Sequence, residues 1–413
     1  MQILVYEHVS GGGFAGKPVS PTVLSEGYAM LRALAADFKA AGHSVATLLD
    51  SRLAEFNPPL EADCVARVTS SLELEAAFEA SVESAEATLI VAPEIAGVLE
   101  SFVRKTERLG VASLNCNSST IYTVANKPML LEHAKKQGVD VPKSLVVHIH
   151  EPISSIAKSV SEKLGFPAIF KPMIGFGCSK ISIVNDESQV ESAVAKMSAS
   201  SSIETFLAQE IVRGVATSVC IYSDGDEALP VSLNKQNVTL ATPAFDSSYD
   251  GGLVPLDSPP AQKTKAFFVA KKIVESIRGL RGYIGVDIVL KDGIPILIEV
   301  NPRLTTSYVG LRMVSGFNPA QALVDSILRH KLPINCGTFG YACFMKVKTP
   351  KPSFESLLKT YGLAGVFAPP FPISSDRLAF ALLTSHGESL QKASLRLEKN
   401  RRRLIRTLRN KGE

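Results

Sequence analysis

The amino-acid sequence predicts an α/β protein: an N-terminal doubly wound domain with a parallel sheet, then a two-lobed α+β unit, then a small C-terminal α+β extension. Strand and helix patterns alternate over roughly the first 115 residues, and such alternation is typical of parallel sheets. Shorter strands and helices follow, and a stretch with several prolines comes after them. We therefore expect four units, at residues 1–117, 118–205, 206–335 and 336–413.

The first unit begins with an apolar strand at residues 3–6 and the glycine run 11–13. A helical pattern then extends from residue 22 to 41, where Gly42 is the expected stop. The further elements expected here are strands at 44–49, 88–91 and 111–115 and helices at 72–84 and 95–109. The glycine run lacks the GxGxxG spacing of a dinucleotide site, so we interpret residues 10–21 as a flexible loop over a substrate site.

The two lobes contain shorter elements. For the first lobe the patterns predict helices at 127–138 and 156–164 and strands at 144–148, 168–171 and 181–184. For the second lobe they predict a strand that contains Gln209 and Glu210, a long connection at 232–262, a helix at 263–278 and a hairpin at 285–303.

Composition and charge limit the function classes. The chain has 413 residues, 46% of them hydrophobic, which suffices for a sizeable core, and a charged fraction of 20% argues against extended disorder. The formal net charge of +4 arises in residues 396–413; without them 36 basic and 38 acidic side chains remain, a net of −2. Leucines interrupt this basic tail, which predicts a terminal amphipathic helix with a solvated face and no nucleic-acid partner.

Cysteine usage and hydropathy indicate the compartment. The six cysteines are scattered and form no CxxC pair, as expected for reduced thiols in a cytoplasmic protein. The N-terminal apolar run is too short for a signal peptide, and no apolar stretch reaches membrane-spanning length. We therefore expect cytoplasmic localisation and no membrane partner. The sequence does not decide whether the protein forms a homo-oligomer.

The most informative segment is the predicted hairpin at 285–303. Side chains alternate along a strand, so Glu299 and Asn301 project from one face, and Asp287 on the partner strand joins them if the register allows. Two carboxylates and an amide oxygen are hard-oxygen ligands of the kind that hold Mg²⁺ against nucleotide phosphates. Arg303 follows, where a cation can meet a phosphate or a developing oxyanion.

Three further segments fit a nucleotide. Lys127 opens a helix, and Lys171 ends a strand just before a loop with glycines at 175 and 177, so that cations and backbone N–H groups can surround a polyphosphate. The strand with Glu210 runs on through Val212, where backbone groups can meet an adenine edge. Lys235 is a candidate for contact with the substrate carboxylate or the γ-phosphate. The candidate nucleotide-binding residues are Lys127, Lys171, Gly175, Gly177, Glu210 and Val212.

In this order, the lysines, the glycine loop, the Gln209-Glu210 strand and the hairpin carboxylates resemble the ATP-grasp superfamily over roughly residues 118–335. The resemblance implies that the lysines and the loop hold phosphates, that the inter-lobe strand binds adenine, and that Asp287, Glu299 and Asn301 bind Mg²⁺. It implies ATP and Mg²⁺ as cofactors, with Mn²⁺ able to replace Mg²⁺, and ligation through an acyl phosphate. Many members carry a carboxylate for the ribose just after the inter-lobe glycine, whereas Gly214 is followed by Val215.

Shorter motifs resemble a narrower group, the tyramine–glutamate ligases of methanofuran biosynthesis and their relatives. These motifs lie at residues 5–13, 26–31, 216–219 and 232–236. The resemblance implies a carboxylate substrate, glutamate, and an amine substrate, tyramine or a similar aromatic amine. Arg303 and Lys235 are then the candidate catalytic residues.

Two other functions stay open at this point. One is an ATP-grasp enzyme that makes a different bond, such as a peptide ligase acting on amino acids or a carboxylase, although the chain has no Met-Lys-Met biotin-attachment signature. The other is a nucleotide-binding regulatory module without turnover, which has no need for the full set of Asp287, Glu299 and Asn301.

Overall fold

The structure of the protein is a computed structural model, which describes residues 1–175, 177–199, 203–334, 336–373 and 377–409. Three β-sheets organise this part of the chain: one parallel sheet of five strands and two antiparallel sheets of four and eight strands. Each sheet corresponds to one region of the sequence, and residues from all three regions line one cavity.

The N-terminal domain contains the parallel sheet, with strand order β3-β2-β1-β4-β5. Its elements are β1 (Gln2–Glu7), α1 (Pro21–Ala40), β2 (Ser44–Asp50), α2 (Ser51–Ala54), β3 (Cys64–Val68), α3 (Ser71–Glu83), β4 (Ala87–Val91), a 3₁₀ turn (Ile95–Gly97), α4 (Val98–Arg108) and β5 (Ala112–Ser113). Pro21 opens α1, and Gly42, with a φ of +84°, follows its end. The predicted doubly wound parallel sheet is confirmed. Strand β3 was missed because it is a largely exposed edge strand without a continuous apolar run.

The strand order changes direction at one place in this sheet. Strand β2 pairs with one side of β1 and β4 pairs with the other, so the topological switch point lies between β1 and β4. In open α/β sheets, ligands bind outside the carboxyl ends of the strands at such a point. Here the two carboxyl ends are Glu7 and Val91, which are paired in the sheet.

The first lobe is an antiparallel sheet of order β6-β9-β7-β8 with two helices. Helices α5 (Ser118–Ala125) and α6 (Lys127–Lys136) lead into it. Its elements are β6 (Ser144–His148), α7 (Ile153–Lys163), β7 (Ala168–Pro172), β8 (Ser182–Val184), a 3₁₀ turn (Glu187–Gln189), α8 (Val190–Ser198) and β9 (Thr205–Glu210). Strand β9 pairs with β6 and β7, so the sheet of this lobe extends beyond the expected limit at residue 205, as far as Glu210.

The second lobe and the C-terminal unit share one antiparallel sheet, of order β14-β13-β10-β11-β12-β15-β17-β16. Its elements are β10 (Val215–Ser223), β11 (Ala228–Thr239), β12 (Ser248–Val254), α9 (Pro260–Glu275), β13 (Gly282–Lys291), β14 (Ile294–Asn301), α10 (Tyr308–Val314), α11 (Pro319–Leu328), β15 (Tyr341–Pro350), α12 (Phe354–Tyr361), β16 (Val366–Ala368), β17 (Leu378–Gly387) and α13 (Leu390–Arg409). The strands that follow residue 336 therefore continue the sheet of the second lobe.

One sequence prediction in this lobe was wrong. Residues 232–262 do not form a long connection, because they contain most of β11 and all of β12. Polar residues fill the second half of β11, and two adjacent glycines lie within β12 and weaken its strand signal. Gly251 is required there, since a Cβ atom would lie 2.1 Å from the carbonyl oxygen of Phe344 on the neighbouring strand, and its φ is +129°.

Packing joins the N-terminal domain to the second lobe. One cluster of buried side chains combines Tyr28 and Phe38 of α1 with Tyr308 of α10 and Phe344 of β15. Asp37 supports the same contact, because it accepts hydrogen bonds from the Tyr308 hydroxyl at 2.8 Å and from Arg312 Nη2 at 2.6 Å. The buried side chains of the first lobe form a separate cluster. The cavity thus lies between a first lobe with its own core and the other units, which share a core.

Two further expectations concern the surface. Helix α13 is the terminal helix predicted for the basic tail; residues 410–413 lie outside the described part of the chain. Among the described residues, no helix combines the length and the apolar composition that a membrane crossing requires.

Candidate active site

The hairpin of β13 and β14 brings the two predicted metal-binding carboxylates together. Asp287 and Glu299 are directly opposite each other in the register, so their side chains leave the sheet on the same face. The turn between the strands uses Asp292 and Gly293, both with positive φ, as a tight two-residue turn requires. Asn301 lies two residues beyond Glu299 and donates from Nδ2 to Asp287 Oδ2 at 3.2 Å.

Electrostatics distinguish the two carboxylates. Burial and the adjacent Glu299 raise the pKa of Asp287 above its ordinary value, although Asn301 and Gln236 donate hydrogen bonds to it. Burial also opposes ionisation of Glu299, but Lys127 and Lys171 hold the pKa of Glu299 below its ordinary value. Two opposed carboxylates of this kind form a site where a cation is strongly favoured.

The two predicted phosphate-binding lysines are buried beside these carboxylates. Lys127, at the start of α6, lies with its Nζ atom 3.3 Å from Glu299 Oε2 and is 8% exposed. Lys171, near the end of β7, is 4% exposed, and burial together with Lys127 lowers the pKa of Lys171 to about 8. Gly175 and Gly177 line the same cavity, while Phe176 between them lies outside the described residues. The structure therefore gathers two cations and the glycine loop around one space.

The inter-lobe segment lies at another wall of this cavity. Glu210, Ile211 and Val212 line it. The Glu210 carboxylate accepts a hydrogen bond from the backbone N–H of Lys143 at 2.8 Å, so its side chain is held by the first lobe. Strand β9 ends at Glu210, and the next two residues belong to no strand, which leaves their backbone groups free of the ladder for contact with a flat ligand edge.

Arg303 reaches the cavity as a member of a buried ion pair. Its Nε and Nη2 atoms donate to Glu94 Oε1 and Oε2 at 2.9 and 3.1 Å, and Nη1 donates to the carbonyl oxygen of Leu304 at 3.2 Å. Burial disfavours the cation, but Glu94 raises the pKa of Arg303 above its ordinary value, so the guanidinium stays charged. No local sequence pattern indicates Glu94, because the two partners are 209 residues apart.

The structure does not bring Lys235 to the site. Lys235 pairs with Thr217 and Thr217 pairs with Ile288, whereas Asp287 pairs with Ser218 on the other face of the sheet. Lys235 is accordingly exposed and is absent from the cavity lining. The next residue, Gln236, lines the cavity instead and donates from Nε2 to Asp287 Oδ1 at 3.0 Å. The sequence pattern of residues 232–262 does not reveal strand β11, so it does not predict on which face Lys235 lies.

The expected loop over the substrate site is also placed differently. Residues 10–21 do not line the cavity; the residues on either side of this segment, Glu7, Val9 and Val23, do. Gly11 and Gly12 of the glycine run are buried in successive turns, where the Gly11 N–H donates to the carbonyl oxygen of Glu7 at 2.7 Å. Sequence reasoning missed Glu7 and Glu26 as cavity residues. The sequence feature that could have indicated both residues is their position in the short motifs at 5–13 and 26–31.

The donor set fits a divalent cation. Asp287, Glu299 and Asn301 supply the carboxylate and amide groups that Mg²⁺ accepts, once the amide of Asn301 is rotated to present its oxygen. Within the described part of the chain, no group of three or more His, Cys, Asp and Glu side chains is positioned to hold a metal. A cation bound here would therefore need further ligands from water or from nucleotide phosphates, as Mg²⁺ commonly does.

This fold and this site define a class of protein. Residues 124–307 match the family model described as ATP-grasp domain, and residues 43–121 match the pre ATP-grasp 3 domain. The chain thus contains a pre ATP-grasp domain followed by an ATP-grasp domain, and it is an ATP-dependent ligase of this class. The resemblance inferred from the sequence is thus confirmed, and a regulatory module without turnover is not supported.

Two named proteins are similar to this chain over 75% of its length. The chain is similar to the tyramine–L-glutamate ligase of Methanocaldococcus jannaschii, with 26% identity over 312 residues that cover 75% of this chain and 84% of that protein. It is similar to the protein of the same name from Methanocaldococcus fervens, with 27% identity over 313 residues, 75% of this chain and 89% of that one.

Solved structures show the same fold. A putative ATP-grasp superfamily protein from Archaeoglobus fulgidus matches with a TM-score of 0.64 and 20% identity, over 93% of this chain and 99% of that one. A biotin carboxylase–β,γ-ATP complex from Campylobacter jejuni matches with a TM-score of 0.72 and 15% identity, over 95% and 89%. At these identities the likeness concerns the fold alone.

Proposed function

We propose that the protein is a carboxylate–amine ligase that forms an amide through an acyl phosphate, joining glutamate to tyramine or a related amine at the expense of ATP. One observation carries the proposal: a single cavity gathers Lys127 and Lys171, the opposed pair Asp287 and Glu299, and Arg303. Cations that neutralise phosphates, beside carboxylates that hold a metal, are what phosphoryl transfer requires.

Each end of the cavity has its own role in this proposal. Lys127, Lys171, Gly175 and Gly177 hold the phosphates of ATP, and the segment from Glu210 to Val212 meets the adenine. Asp287, Glu299 and Asn301 would hold Mg²⁺, or Mn²⁺ in its place, and the ion would supply positive charge to neutralise the phosphates. The ion-paired and hydrogen-bonded side chains described above keep these groups in place before substrate arrives.

The reaction proceeds in two bond exchanges. An oxygen of the substrate carboxylate attacks the γ-phosphorus, which forms a C–O–P linkage and breaks the bond to the leaving oxygen of ADP. The amine nitrogen then attacks the acyl carbon, a C–N bond forms, and the C–O bond breaks to release inorganic phosphate while the nitrogen loses a proton. Arg303 donates to the negative oxygens of the acyl phosphate or of its tetrahedral successor, and Glu94 holds the guanidinium for that purpose.

Two observations support glutamate and an aromatic amine as substrates. Both curated relatives reported above carry the name tyramine–L-glutamate ligase. The cavity wall formed by the N-terminal domain is mainly apolar and includes Val9, Val23, Met30 and Val91. All six cysteines are free thiols, which agrees with a reaction in the cytoplasm.

The test is release of ADP with Mg-ATP, glutamate and a panel of amines that includes tyramine, tyrosine and other amino acids. We expect ADP only when glutamate and one amine are both present, together with the mass of the corresponding amide. The Asp287→Asn variant, purified in the same way, controls for contaminating ATPase activity. ADP formation with two amino acids and not with an amine would replace the proposal by a peptide ligase. ADP formation with bicarbonate would replace it by a carboxylase.

A further inference from the structure

One end of the cavity is lined by the N-terminal domain, and Lys346 of the C-terminal unit is paired there with the lining residue Glu26. Helix α1 presents Val23, Glu26, Gly27 and Met30 to it, which is the spacing of a single helix face. This end contains no residue of the proposed nucleotide site, yet it carries two carboxylates, Glu7 and Glu26. The reaction steps described above do not use either of them.

Glu26 is held firmly in place. Its Oε1 atom lies 2.6 Å from Lys346 Nζ of β15, and its Oε2 atom accepts a hydrogen bond from Thr306 Oγ1 at 2.8 Å. The two charged side chains are only 14% and 6% exposed. The Lys346 ammonium also lies over the ring of Tyr249, 5.7 Å from its centroid. Three distant parts of the chain therefore meet around one carboxylate that borders the cavity.

Glu7 forms the second carboxylate of this end. It lies at the carboxyl end of β1, at the switch point of the parallel sheet, and is 2% exposed. Its oxygens accept hydrogen bonds from the N–H groups of Val9 and Ser10 and from the Ser10 hydroxyl, at 3.0, 2.7 and 2.6 Å. A Cβ atom at Gly27 would lie 2.6 Å from Glu7 Oε2, so glycine is what lets α1 pass over this carboxylate.

The ion pairs beside this end leave Glu7 out. Glu26 is paired with Lys346, and Glu94 is paired with Arg303. Glu7 has hydrogen-bond donors but no ion-pair partner among the described residues. Burial raises the pKa of Glu7 above its ordinary value, although the hydrogen bonds from Ser10 and Val9 and the charge of Arg303 act in the opposite direction. A ligand cation would give Glu7 an ion-pair partner.

The remaining walls define the rest of the ligand. Val9, Val23 and Met30 and the end of strand β4 present apolar surface. The end also adjoins the proposed reaction centre, because Thr306, which donates to Glu26, follows Arg303 by three residues and lines the same cavity. A bound molecule would thus carry one positive group and an apolar body.

We propose that this end of the cavity is the acceptor subsite, in which Glu7 and Glu26 bind the ammonium group of a primary amine with an apolar body. The inference rests on the proposed function and adds the residues that select the amine. Glu7 also accepts the proton that the ammonium must lose before its nitrogen can attack the acyl carbon, and the resulting carboxylic acid returns that proton to solvent after release of the amide.

Calorimetric titration of the full chain with matched ligands tests the subsite without requiring turnover. Tyramine is compared with 4-ethylphenol, which has the same ring and ethyl chain but no ammonium. We expect tyramine to bind at least about tenfold more tightly than 4-ethylphenol, and Glu7→Gln and Glu26→Gln each to weaken tyramine about tenfold or more. Their affinity for Mg-ATP should stay within about twofold of wild type, as should both affinities of the surface control Glu83→Gln. Equal binding of the two ligands, or unchanged tyramine affinity in both variants, would overturn the subsite.

Further variants separate binding from folding and from the proposed reaction. Gly27→Ala leaves both carboxylates in the chain but displaces Glu7, so we expect it to weaken tyramine and to spare Mg-ATP. The double variant Glu26→Gln/Lys346→Met removes the buried pair without leaving an unpaired charge, and it too should lose tyramine. If tyramine binding depends on Glu7 and Glu26 but no amide forms, the subsite stands and the proposed ligase fails. If amide forms and the KM for the amine is unchanged in both single variants, the ligase stands and the subsite fails.

Discussion

Arg303 and Glu94 form a bidentate ion pair. The pair joins the β13–β14 hairpin of the second lobe, which carries Asp287 and Glu299, to the segment just after strand β4 in the N-terminal domain. Both side chains are largely buried, at 13% and 6% exposure. The arginine is therefore not a free cation at the rim of the site. Its orientation is fixed by a carboxylate from another domain, and its remaining N–H groups are the ones available to a substrate oxygen.

The first prediction concerns this pair. Glu94→Ala should destabilise the protein by about 3–5 kcal/mol, because it leaves a buried guanidinium without its partner. It should also lower kcat more than it changes the KM for ATP, since Arg303 loses its orientation. Urea denaturation and steady-state kinetics measure the two effects. The matched control is Asp325→Asn, which breaks the exposed Arg329–Asp325 pair and should cost no more than about 1 kcal/mol. Equal losses in the two variants would contradict this account.

The second prediction concerns the opposed carboxylates. Asp287→Asn and Glu299→Gln should each lower kcat by about 100-fold or more, since each removes a negative ligand from the proposed metal site. Chelation of divalent metal should abolish turnover in wild type. Titration of activity with Mg²⁺ and with Mn²⁺ should show a weaker apparent metal affinity in both variants. Full activity of Glu299→Gln at the wild-type Mg²⁺ concentration would exclude Glu299 as a ligand.

The third prediction follows from the pKa of Asp287. This pKa is raised above its ordinary value of 3.8, mainly by burial, so the carboxyl stabilises the fold at low pH and this contribution is lost as pH rises through the raised value. Without metal, Asp287→Asn should therefore be more stable relative to wild type at pH 8 than at pH 5. Thermal unfolding at both values measures the difference. Excess Mg²⁺ should raise the stability of wild type most at the higher pH, where the ligand is ionised.

The fourth prediction uses Lys171, whose pKa is lowered to about 8 by burial and by Lys127. Since the cationic form is lost as pH rises through that value, ATP affinity should fall by about tenfold above pH 8. Lys171→Arg should flatten this dependence, because the guanidinium stays charged. Adenosine, which has no phosphates, is the control ligand and should bind equally at both ends of the range. A parallel pH dependence for adenosine would show that the effect is not due to phosphate contact.

The fifth prediction separates two neighbours on strand β11. Gln236→Leu removes a hydrogen bond to Asp287 and should reduce kcat by about tenfold, whereas Lys235→Ala, on the opposite and exposed face, should stay within about twofold of wild type. Steady-state kinetics with saturating Mg-ATP decide between them. A large loss in Lys235→Ala alone would restore the role that the sequence suggested for Lys235.

These neighbours also show where sequence reasoning reaches its limit. The hairpin was predictable because its turn residues fix a two-residue loop and because side-chain alternation then places Glu299 and Asn301 on one face. Strand β11 offered no such anchor. Its face is decided by its register with β10, a pairing that the local sequence does not encode. The local sequence therefore identifies the segment, whereas the choice between Lys235 and Gln236 requires the register of the strand.

Long-range contacts were beyond prediction for the same reason. Glu94 and Arg303 are far apart in sequence, as are Glu26 and Lys346, and neither pair leaves a local pattern. The short motif that contains Glu26 drew attention to the residue, but its role depends on a strand that follows it by more than three hundred positions. The lysines and the glycine loop were recoverable because each marks the end or the beginning of a regular element.

The most direct test of the central claim follows one oxygen atom. The enzyme is incubated with Mg-ATP, the amine that supports ADP release, and glutamate labelled with ¹⁸O in its carboxylates. Attack of the carboxylate on the γ-phosphorus predicts that each inorganic phosphate released carries one ¹⁸O atom and that ADP is the nucleotide product. Unlabelled phosphate, or AMP in place of ADP, would contradict ligation through an acyl phosphate.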